Sequence, residues 1–188
     1  DKASLNSDLR RKAKTINFGI IYGISPYGLS AQLDISNSEA KQYIESYFKK
    51  YPGIKEYMDK TVKDCRSKGY VATPFGRRIF IPFINDKVAN RRNFAERSAI
   101  NAPIQGGAAD LIKLAMPKIY KFLTKEKLMS KMLIQVHDEL IFEVPQNEIN
   151  IMKHNIPTIM SNSHNNFLDL KVPIKVDLGL GINWDEAN

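Results

Sequence analysis

Four side chains near the start of the sequence are spaced to act on one ligand: Arg10, Lys14, Phe18 and Tyr22, in the string RRKAKTINFGIIYG. Four residues advance an α-helix by slightly more than one turn, so these side chains share one broad face. Arg and Lys donate charged hydrogen bonds to phosphate oxygens, and Phe and Tyr offer flat surfaces to a base or sugar. The pattern favours a ligand with phosphates at one end and a flat ring at the other. The alternative is a solvated basic helix with two core aromatics.

A second candidate site lies in residues 131–144, KMLIQVHDELIFEV. Two short runs in which alternate side chains would face the same side of a strand lie on either side of a polar segment. This pattern predicts a β-hairpin whose loop carries His137, Asp138 and Glu139. Adjacent carboxylates at a hairpin tip repel each other, but they suit a divalent cation, because Mg²⁺ prefers carboxylate oxygens and bridges to phosphates. The alternative is an ordinary polar turn, in which Asp is common.

Three strings together resemble the family A DNA polymerases, the bacterial DNA polymerase I group. RRKAKTINFGIIYG is similar to their R-x-x-x-K-x-x-x-F-G-x-x-Y-G nucleotide-binding helix in the fingers subdomain, and QVHDE is similar to their palm hairpin with a catalytic Asp. ERSAINAPIQGGAAD at 96–110 resembles the helix that follows the primer–template minor groove. The order and separation of the strings match too, and the resemblance runs over essentially all 188 residues, up to GINWDEA at 181–187.

The resemblance implies a reaction in which a primer 3′-hydroxyl attacks the α-phosphate of a deoxynucleoside triphosphate and pyrophosphate leaves. Two Mg²⁺ ions would assist it, and the partners would be primer–template DNA and deoxynucleoside triphosphates. Arg10 and Lys14 would contact the triphosphate, and Lys14 would also neutralise charge as it builds during catalysis. Phe18 would pack on the sugar and base. Tyr22 would lie at the template-base pocket, in contact with both nucleotide and DNA.

The resemblance also assigns roles to the hairpin and to the third string. Asp138 would be a catalytic residue and the metal ligand, Glu139 a second catalytic carboxylate, and His137 a contact to the phosphates or the primer end. Because neighbouring side chains on a strand point to opposite faces, we favour Asp138 over Glu139 as the direct ligand.

Arg97, Asn101 and Gln105 match the family's duplex-contacting positions, and their spacing places them on one helix face if the helix continues past Pro103. Minor-groove acceptors occur on every base pair, so these side chains can check pair geometry without reading the sequence. The alternative for Asn101 and Gln105 is capping of helix ends around Pro103.

One part of the expected active site is missing. Two-metal catalysis needs a second carboxylate, which the family supplies from a palm strand upstream of the nucleotide-binding helix, in a motif like D-Y-S-x-I-E. No such string occurs in residues 1–188. We therefore expect this chain to be a C-terminal piece of a polymerase whose remainder lies upstream, and the piece alone to be inactive or nearly so in primer extension.

Composition agrees with an anionic partner. The net charge is +8 and the pI is about 9.5. Residues 1–100 hold nineteen Lys and Arg against ten Asp and Glu, whereas residues 101–188 hold nine against ten. The sequence contains no run of 18 apolar residues, so it predicts no membrane-spanning helix. A single cysteine, Cys65, fits a reducing compartment, which we expect to be a bacterial cytoplasm or alternatively an organelle matrix.

The order of elements predicts an α+β fold, with helical fingers followed by part of an antiparallel palm sheet. Residues 1–82 would be mainly fingers and 83–188 mainly palm. The predicted elements are helices at about 8–23, 27–33, 37–50 and 52–68, a hairpin within 70–82, a helix from Arg91 that stops before Pro103, a helix at 107–127 interrupted at Pro117, the 131–144 hairpin, a helix at 146–162 and a strand pair around 172–180.

Three other classes of function remain to be compared with this hypothesis. A non-catalytic DNA-binding module would bind DNA with the salt dependence of phosphate contacts but would not need Asp138. A metal-dependent phosphohydrolase would use His137 and Asp138 as adjacent ligands, and would need further His ligands on helices. A purely structural role leaves the acidic turn and the Arg-Lys-Phe-Tyr face unexplained.

Overall fold

The chain is rich in helices and has two small antiparallel sheets, in a computed structural model that describes residues 7–165 and 167–187. The predicted α+β class is confirmed. The chain divides into two compact units, the first ending at Ile104 and the second beginning at Gln105. This boundary lies later than residue 82, and the division into fingers and palm stays a prediction. In the described ranges, no helix is both long and apolar enough to cross a membrane.

The first unit contains the predicted run of helices and a small hairpin. The elements are α1 (Ser7–Ile21), α2 (Pro26–Leu33), α3 (Asn37–Lys50), α4 (Pro52–Lys68), β1 (Tyr70–Ala72) and β2 (Arg78–Phe80), the two strands pairing antiparallel. Local signals set the helix ends. The Ser36 hydroxyl oxygen accepts a hydrogen bond from the backbone N–H of Glu39 at 3.1 Å, Pro52 begins α4, and Gly69 ends it with φ at +77°.

Two apolar clusters stabilise the first unit. One lies where α1, α2 and α3 meet: Leu29, Leu33 and Ala40 are buried there, and Ile16 of α1 packs against them. The other joins α4, the small hairpin and the start of the next helix, and its buried members are Cys65, Val71, Ile81, Ile84, Ala95 and Ala99. Burial raises the pKa of the Cys65 thiol, so this cysteine behaves as a small apolar residue rather than as a nucleophile.

One long helix, α5 (Ala89–Lys125), replaces the two helices that were predicted around Pro103. The predictions that a helix stops before Pro103 and that the next is interrupted at Pro117 are wrong. Each proline removes a backbone N–H and crowds the carbonyl one turn earlier, at a cost of about 3 kcal/mol. Buried side chains on both sides of these prolines offset that cost: Ala95, Ala99, Ile100, Ile112, Ala115, Ile119 and Leu123.

In the second unit, the predicted acidic hairpin is confirmed as β3 (Lys131–Val136) and β4 (Glu139–Glu143). The pairing runs from Lys131 opposite Glu143 to Val136 opposite Glu139, with a bulge between Met132 and Ile134. Leu140 and Phe142 of β4 pack against a core formed by α5 and α6 (Ile149–Ser161). A 3₁₀ turn (Gln146–Glu148) precedes α6, in the range where one continuous helix was predicted.

The predicted strand pair around 172–180 is wrong. The structure has no strand in that range, and a short helix, α7 (Trp184–Ala187), follows it. The alternating pattern of KVPIKVDLGL suggested a half-buried strand. A strand, however, needs a neighbouring strand for its backbone hydrogen bonds, and none of the described residues supplies one to this segment.

A buried carboxylate ties the start of β3 to the 3₁₀ turn that follows β4. Glu148 is only 7% exposed, and it accepts hydrogen bonds from the backbone N–H of Met129 at 2.8 Å and from the backbone N–H and hydroxyl of Ser130 at 2.9 and 2.6 Å. The Ser130 hydroxyl and the two backbone N–H groups hold the pKa of Glu148 below the ordinary value of 4.5, although burial acts in the opposite direction.

We predict that acidification weakens this tie. Because the pKa of Glu148 is lowered in the folded state, its stabilising contribution is present above pH 4.5 and is lost as pH falls through the folded-state pKa. Hydrogen exchange in the full-length protein, corrected for intrinsic rates, should show the amides of Met129 and Ser130 losing protection over that range. The Glu148→Gln variant should lack this pH response, and the same response in wild type and variant would contradict the prediction.

Candidate functional site

The predicted ligand-binding face of α1 is exposed, and its opposite face is packed. Ile20 is 2% exposed and Ile16 joins the cluster shared with α2 and α3. With about 100° of rotation per residue, Arg10, Lys14, Phe18 and Tyr22 lie on the other side of the helix from these isoleucines. All four are exposed. Burial of one face therefore orients the other toward solvent, where its cations and rings are available to a ligand.

Three of these side chains form a continuous stack along the helix. The Lys14 Nζ lies 6.0 Å from the centroid of the Phe18 ring, and the Phe18 and Tyr22 rings stack with centroids 6.2 Å apart and planes inclined by 28°. Phe18 is 46% exposed and Tyr22 is 40% exposed. A cation next to a pair of accessible, nearly parallel rings can bind an anionic group and a flat ring of the same ligand.

A contact that the sequence did not reveal supports α1 from α3. The Tyr47 hydroxyl donates a hydrogen bond to the side-chain carbonyl of Asn17 at 2.7 Å. Burial, and to a lesser extent the neighbouring Tyr51, raises the pKa of Tyr47 above its ordinary value of 10.0. Asn17 directly precedes Phe18, so this bond restrains the helix at the aromatic part of the stack.

The structure brings Arg97, a predicted DNA contact, against the end of the α1 segment. Gly23 follows Tyr22 and adopts φ of +75°, a conformation that disfavours other residues. A Cβ atom at Gly23 would lie 3.1 Å from Cγ of Arg97, so the arginine stem packs closely on this glycine. The first unit therefore places an exposed guanidinium side chain beside the aromatic end of the α1 face.

The other predicted DNA contacts, Asn101 and Gln105, both lie in α5, because the helix continues through Pro103. The shared face predicted for these residues required the helix to continue past Pro103. It does continue, and residues four apart in a helix share a face. Gln105 is exposed, whereas Asn101 is partly buried, and its side-chain oxygen has no hydrogen-bond donor among the described residues. The Tyr57 hydroxyl donates to the carbonyl of Ile100 at 2.9 Å and restrains α5 at this level.

The hairpin loop contains two residues, His137 and Asp138, and Glu139 is already the first residue of β4. His137 has φ of +52°, a left-handed conformation that is uncommon for histidine and is typical of tight two-residue turns. The side-chain amide of Gln135 donates a hydrogen bond to the His137 carbonyl at 3.1 Å and fixes the turn. The side chains of His137, Asp138 and Glu139 are all exposed at this tip.

The acidic tip does not form a metal site by itself. Exposed carboxylates are suitable ligands for a hard divalent cation, and Asp138 and Glu139 provide two of them. Among the described residues, however, no group of three or more His, Cys, Asp or Glu side chains is close enough to hold a metal ion. The donor set therefore fits a cation that takes its remaining ligands from elsewhere, such as a substrate phosphate or another carboxylate.

Known proteins with the same sequence features are DNA polymerases. A sequence model described as DNA polymerase family A matches residues 1–186. The chain is 49% identical over 178 residues to DNA polymerase I of Streptococcus pneumoniae serotype 4, covering 95% of this chain and 20% of that protein. It is 46% identical over 186 residues to DNA polymerase I of Bacillus subtilis strain 168, covering 99% and 21%. The chain thus spans about a fifth of the length of these curated relatives.

A solved structure agrees with the sequence matches. The POL domain of Pol1 from M. smegmatis, in complex with DNA primer-template and dNTP, superposes with a TM-score of 0.92 at 40% identity. The match covers 98% of this chain and 32% of that one. The family match over nearly all residues and the high identity to curated relatives lead to one conclusion: the chain belongs to DNA polymerase family A.

Proposed function

We propose that this chain is the part of a template-directed DNA polymerase that binds the incoming deoxynucleoside triphosphate on α1, contacts the primer–template along α5 and supplies a metal-binding carboxylate from the hairpin tip. The observation that carries this proposal is the exposed stack of Lys14, Phe18 and Tyr22. The relatives named DNA polymerase I and the solved complex with DNA primer-template and dNTP support it.

The residues of α1 would bind and orient the nucleotide. Arg10 and Lys14 donate charged hydrogen bonds to the triphosphate and offset the negative charge that builds as pyrophosphate leaves. Phe18 packs on the sugar and base, and Tyr22 lies beside the template base. Holding the α-phosphate next to the primer hydroxyl lowers the barrier by making the reaction effectively unimolecular.

The residues of α5 would hold the duplex. Arg97, Asn101 and Gln105 contact minor-groove acceptors. Because the acceptors are common to all base pairs, these contacts respond to pair geometry and not to sequence.

Asp138 would be the protein's ligand to a divalent cation at the hairpin tip, for which we propose Mg²⁺ because oxygen ligands and phosphates suit it. Bound there, the cation would supply activation of the attacking oxygen and stabilisation of the leaving one. Glu139 assists from the first position of β4, and His137 contacts the phosphates or the primer end. We further propose that the second carboxylate of the two-metal site comes from a segment outside residues 1–188, so that these residues alone are inactive.

We propose a bacterial cytoplasm as the place of action, with an organelle matrix as the alternative; the bacterial relatives favour the former. A non-catalytic DNA-binding module remains the competing proposal, and it differs in one respect: it has no use for the carboxylate of Asp138.

We predict that Lys14→Ala raises the KM for the nucleotide in the complete polymerase by at least about tenfold, since a hydrogen bond to a charged group contributes about 1.5–3 kcal/mol. Steady-state kinetics with varied dNTP would measure it. Lys12→Ala is the matched control: Lys12 is an exposed lysine of α1 two positions away, off the Arg10-to-Tyr22 face, and its loss should change KM less than about twofold. Equal effects of both variants would show that only general positive charge matters.

We predict that Asp138→Asn lowers the rate of nucleotide incorporation at least about 100-fold, because the amide is a weak ligand for a hard cation at a site of charge development. Affinity for primer–template should stay within about threefold, which a binding titration at fixed salt would check. Glu139→Gln should have the smaller effect of the two. Full activity of Asp138→Asn would favour the non-catalytic module.

We predict that Phe18→Tyr increases incorporation of dideoxynucleotides relative to deoxynucleotides. The family resemblance implies that Phe at this position disfavours nucleotides without a 3′-hydroxyl and that Tyr relaxes the preference. Chain-termination assays with the complete polymerase would give the ratio, and Phe18→Leu serves as a control that removes the ring without adding a hydroxyl. An unchanged ratio in Phe18→Tyr would refute the assignment of this position to the sugar.

A further inference from the structure

We propose that Glu148 is a positioning residue for nucleotide incorporation: its buried carboxylate fixes the open end of the β3–β4 hairpin and thereby the location of Asp138 at the tip. This inference rests on the proposed polymerase function. Glu148 itself lies at the opposite end of the hairpin from the tip and would not touch the nucleotide.

The contact is a clamp between two segments that are distant in sequence. One carboxylate oxygen accepts from the N–H of Met129, and the other accepts from the N–H and hydroxyl of Ser130. Glu148 is 7% exposed and Ser130 is 5% exposed, so water cannot readily replace the two bonds from Ser130, whereas the bond from the N–H of Met129 is only partly buried. Without the carboxylate, the backbone N–H of Ser130 would lose its acceptor in a buried place, which is unfavourable, and the partly buried N–H of Met129 would lose its acceptor too.

Apart from its backbone pairing with β4, β3 has little anchorage besides this clamp. Leu140, Phe142 and Val144 attach the β4 side to the α5–α6 core, whereas Leu133 and Ile134 of β3 are 54% and 52% exposed. At the same open end, the Lys131–Glu143 ion pair is long, 3.7 Å, and both its side chains are exposed, so it contributes little. The clamp therefore adds to the backbone pairing in fixing the position of β3 along β4.

The bulge makes the position of β3 along β4 sensitive to loss of the clamp. β3 carries one extra residue between Met132 and Ile134, and an extra residue can move along a strand unless both ends of the pairing are fixed. The turn at His137, held by Gln135, fixes one end. Glu148 and Ser130 fix the other, so the bulge stays at Leu133 and the strand cannot shift toward the tip.

A shift of β3 would displace Asp138, which lies two residues beyond its end. A misplacement of about 1 Å in a reacting group costs about 100-fold in rate. Nucleotide binding, in contrast, depends on α1, which belongs to the first unit. Loss of the clamp should thus lower the maximal rate and leave ground-state binding of nucleotide and DNA nearly unchanged.

The experiment compares three variants of the complete polymerase with wild type. Glu148→Gln keeps the side-chain size but places an amide N–H₂ against hydrogen-bond donors. Ser130→Ala is milder, because it removes only the hydroxyl's hydrogen bond and keeps both backbone donors paired. Glu143→Gln is the matched control, since it removes one negative charge from the exposed ion pair at the same end of the hairpin. Single-turnover incorporation gives the maximal rate and the dNTP dissociation constant, and a titration gives the affinity for primer–template.

We expect Glu148→Gln to lower the maximal rate at least about tenfold, with both dissociation constants within about threefold of wild type. Ser130→Ala should lower the rate by a smaller amount in the same manner, and it decides the matter if Glu148→Gln does not fold. Glu143→Gln should stay within about twofold of wild type. Hydrogen exchange should be faster in residues 131–138 of Glu148→Gln than in Glu143→Gln.

The proposal is overturned if folded Glu148→Gln and Ser130→Ala incorporate nucleotides at the wild-type rate. It is also overturned if their rates fall only together with nucleotide and DNA affinity, which would indicate a general loss of structure. If wild type itself incorporates no nucleotide under any divalent cation, the proposed function fails instead. Hydrogen exchange in residues 131–138 then tests only whether Glu148 holds the open end of the hairpin. Faster exchange in Glu148→Gln than in Glu143→Gln supports this role, and equal exchange refutes it.

Discussion

Apolar packing behind exposed charged residues is the interaction on which this structure depends. The side chains that would meet a nucleotide or DNA stay in water, so they cannot stabilise the fold through burial. Each element therefore packs by its other face: Ile20 holds α1, Ala99 holds the first half of α5, and Phe142 holds β4. The hydrophobic effect buries the apolar face of each element, and this burial turns the charged face toward solvent.

Orientation alone does not fix the exact location of the side chains, and a second set of contacts does this. Tyr47 restrains α1 through Asn17, and Glu148 restrains β3 through Ser130. Both contacts are hydrogen bonds between polar groups, and the Glu148–Ser130 bond lies in a buried place, where a missing partner is costly. Hydrogen bonds are directional, whereas apolar packing is not. A chain that must hold charges at fixed points for chemistry requires both kinds of interaction.

Much of the fold could be predicted because its signals are local. Ser36 and Gly69 mark helix ends by their own side-chain and backbone chemistry, and the hairpin tip follows from the two-residue repeat around His137 and Asp138. The continuity of α5 through Pro103 could not be read in this way, since it depends on burial against elements distant in sequence. The absence of strands around 172–180 depends on a missing partner. The Glu148 clamp joins a side chain to a backbone 18 residues away, a contact with no sequence pattern.

The central proposal is that α1 binds the incoming nucleotide and that Asp138 at the hairpin tip is a ligand to a divalent cation. An experimental structure of the complete polymerase with primer–template, an incoming dNTP and Mg²⁺ tests it most directly. We predict a Mg²⁺ ion about 2.1 Å from a carboxylate oxygen of Asp138, and the triphosphate of the nucleotide in contact with Lys14. A structure with Lys14 on the triphosphate and the Asp138 carboxylate far from that nucleotide, binding no ion, would contradict it.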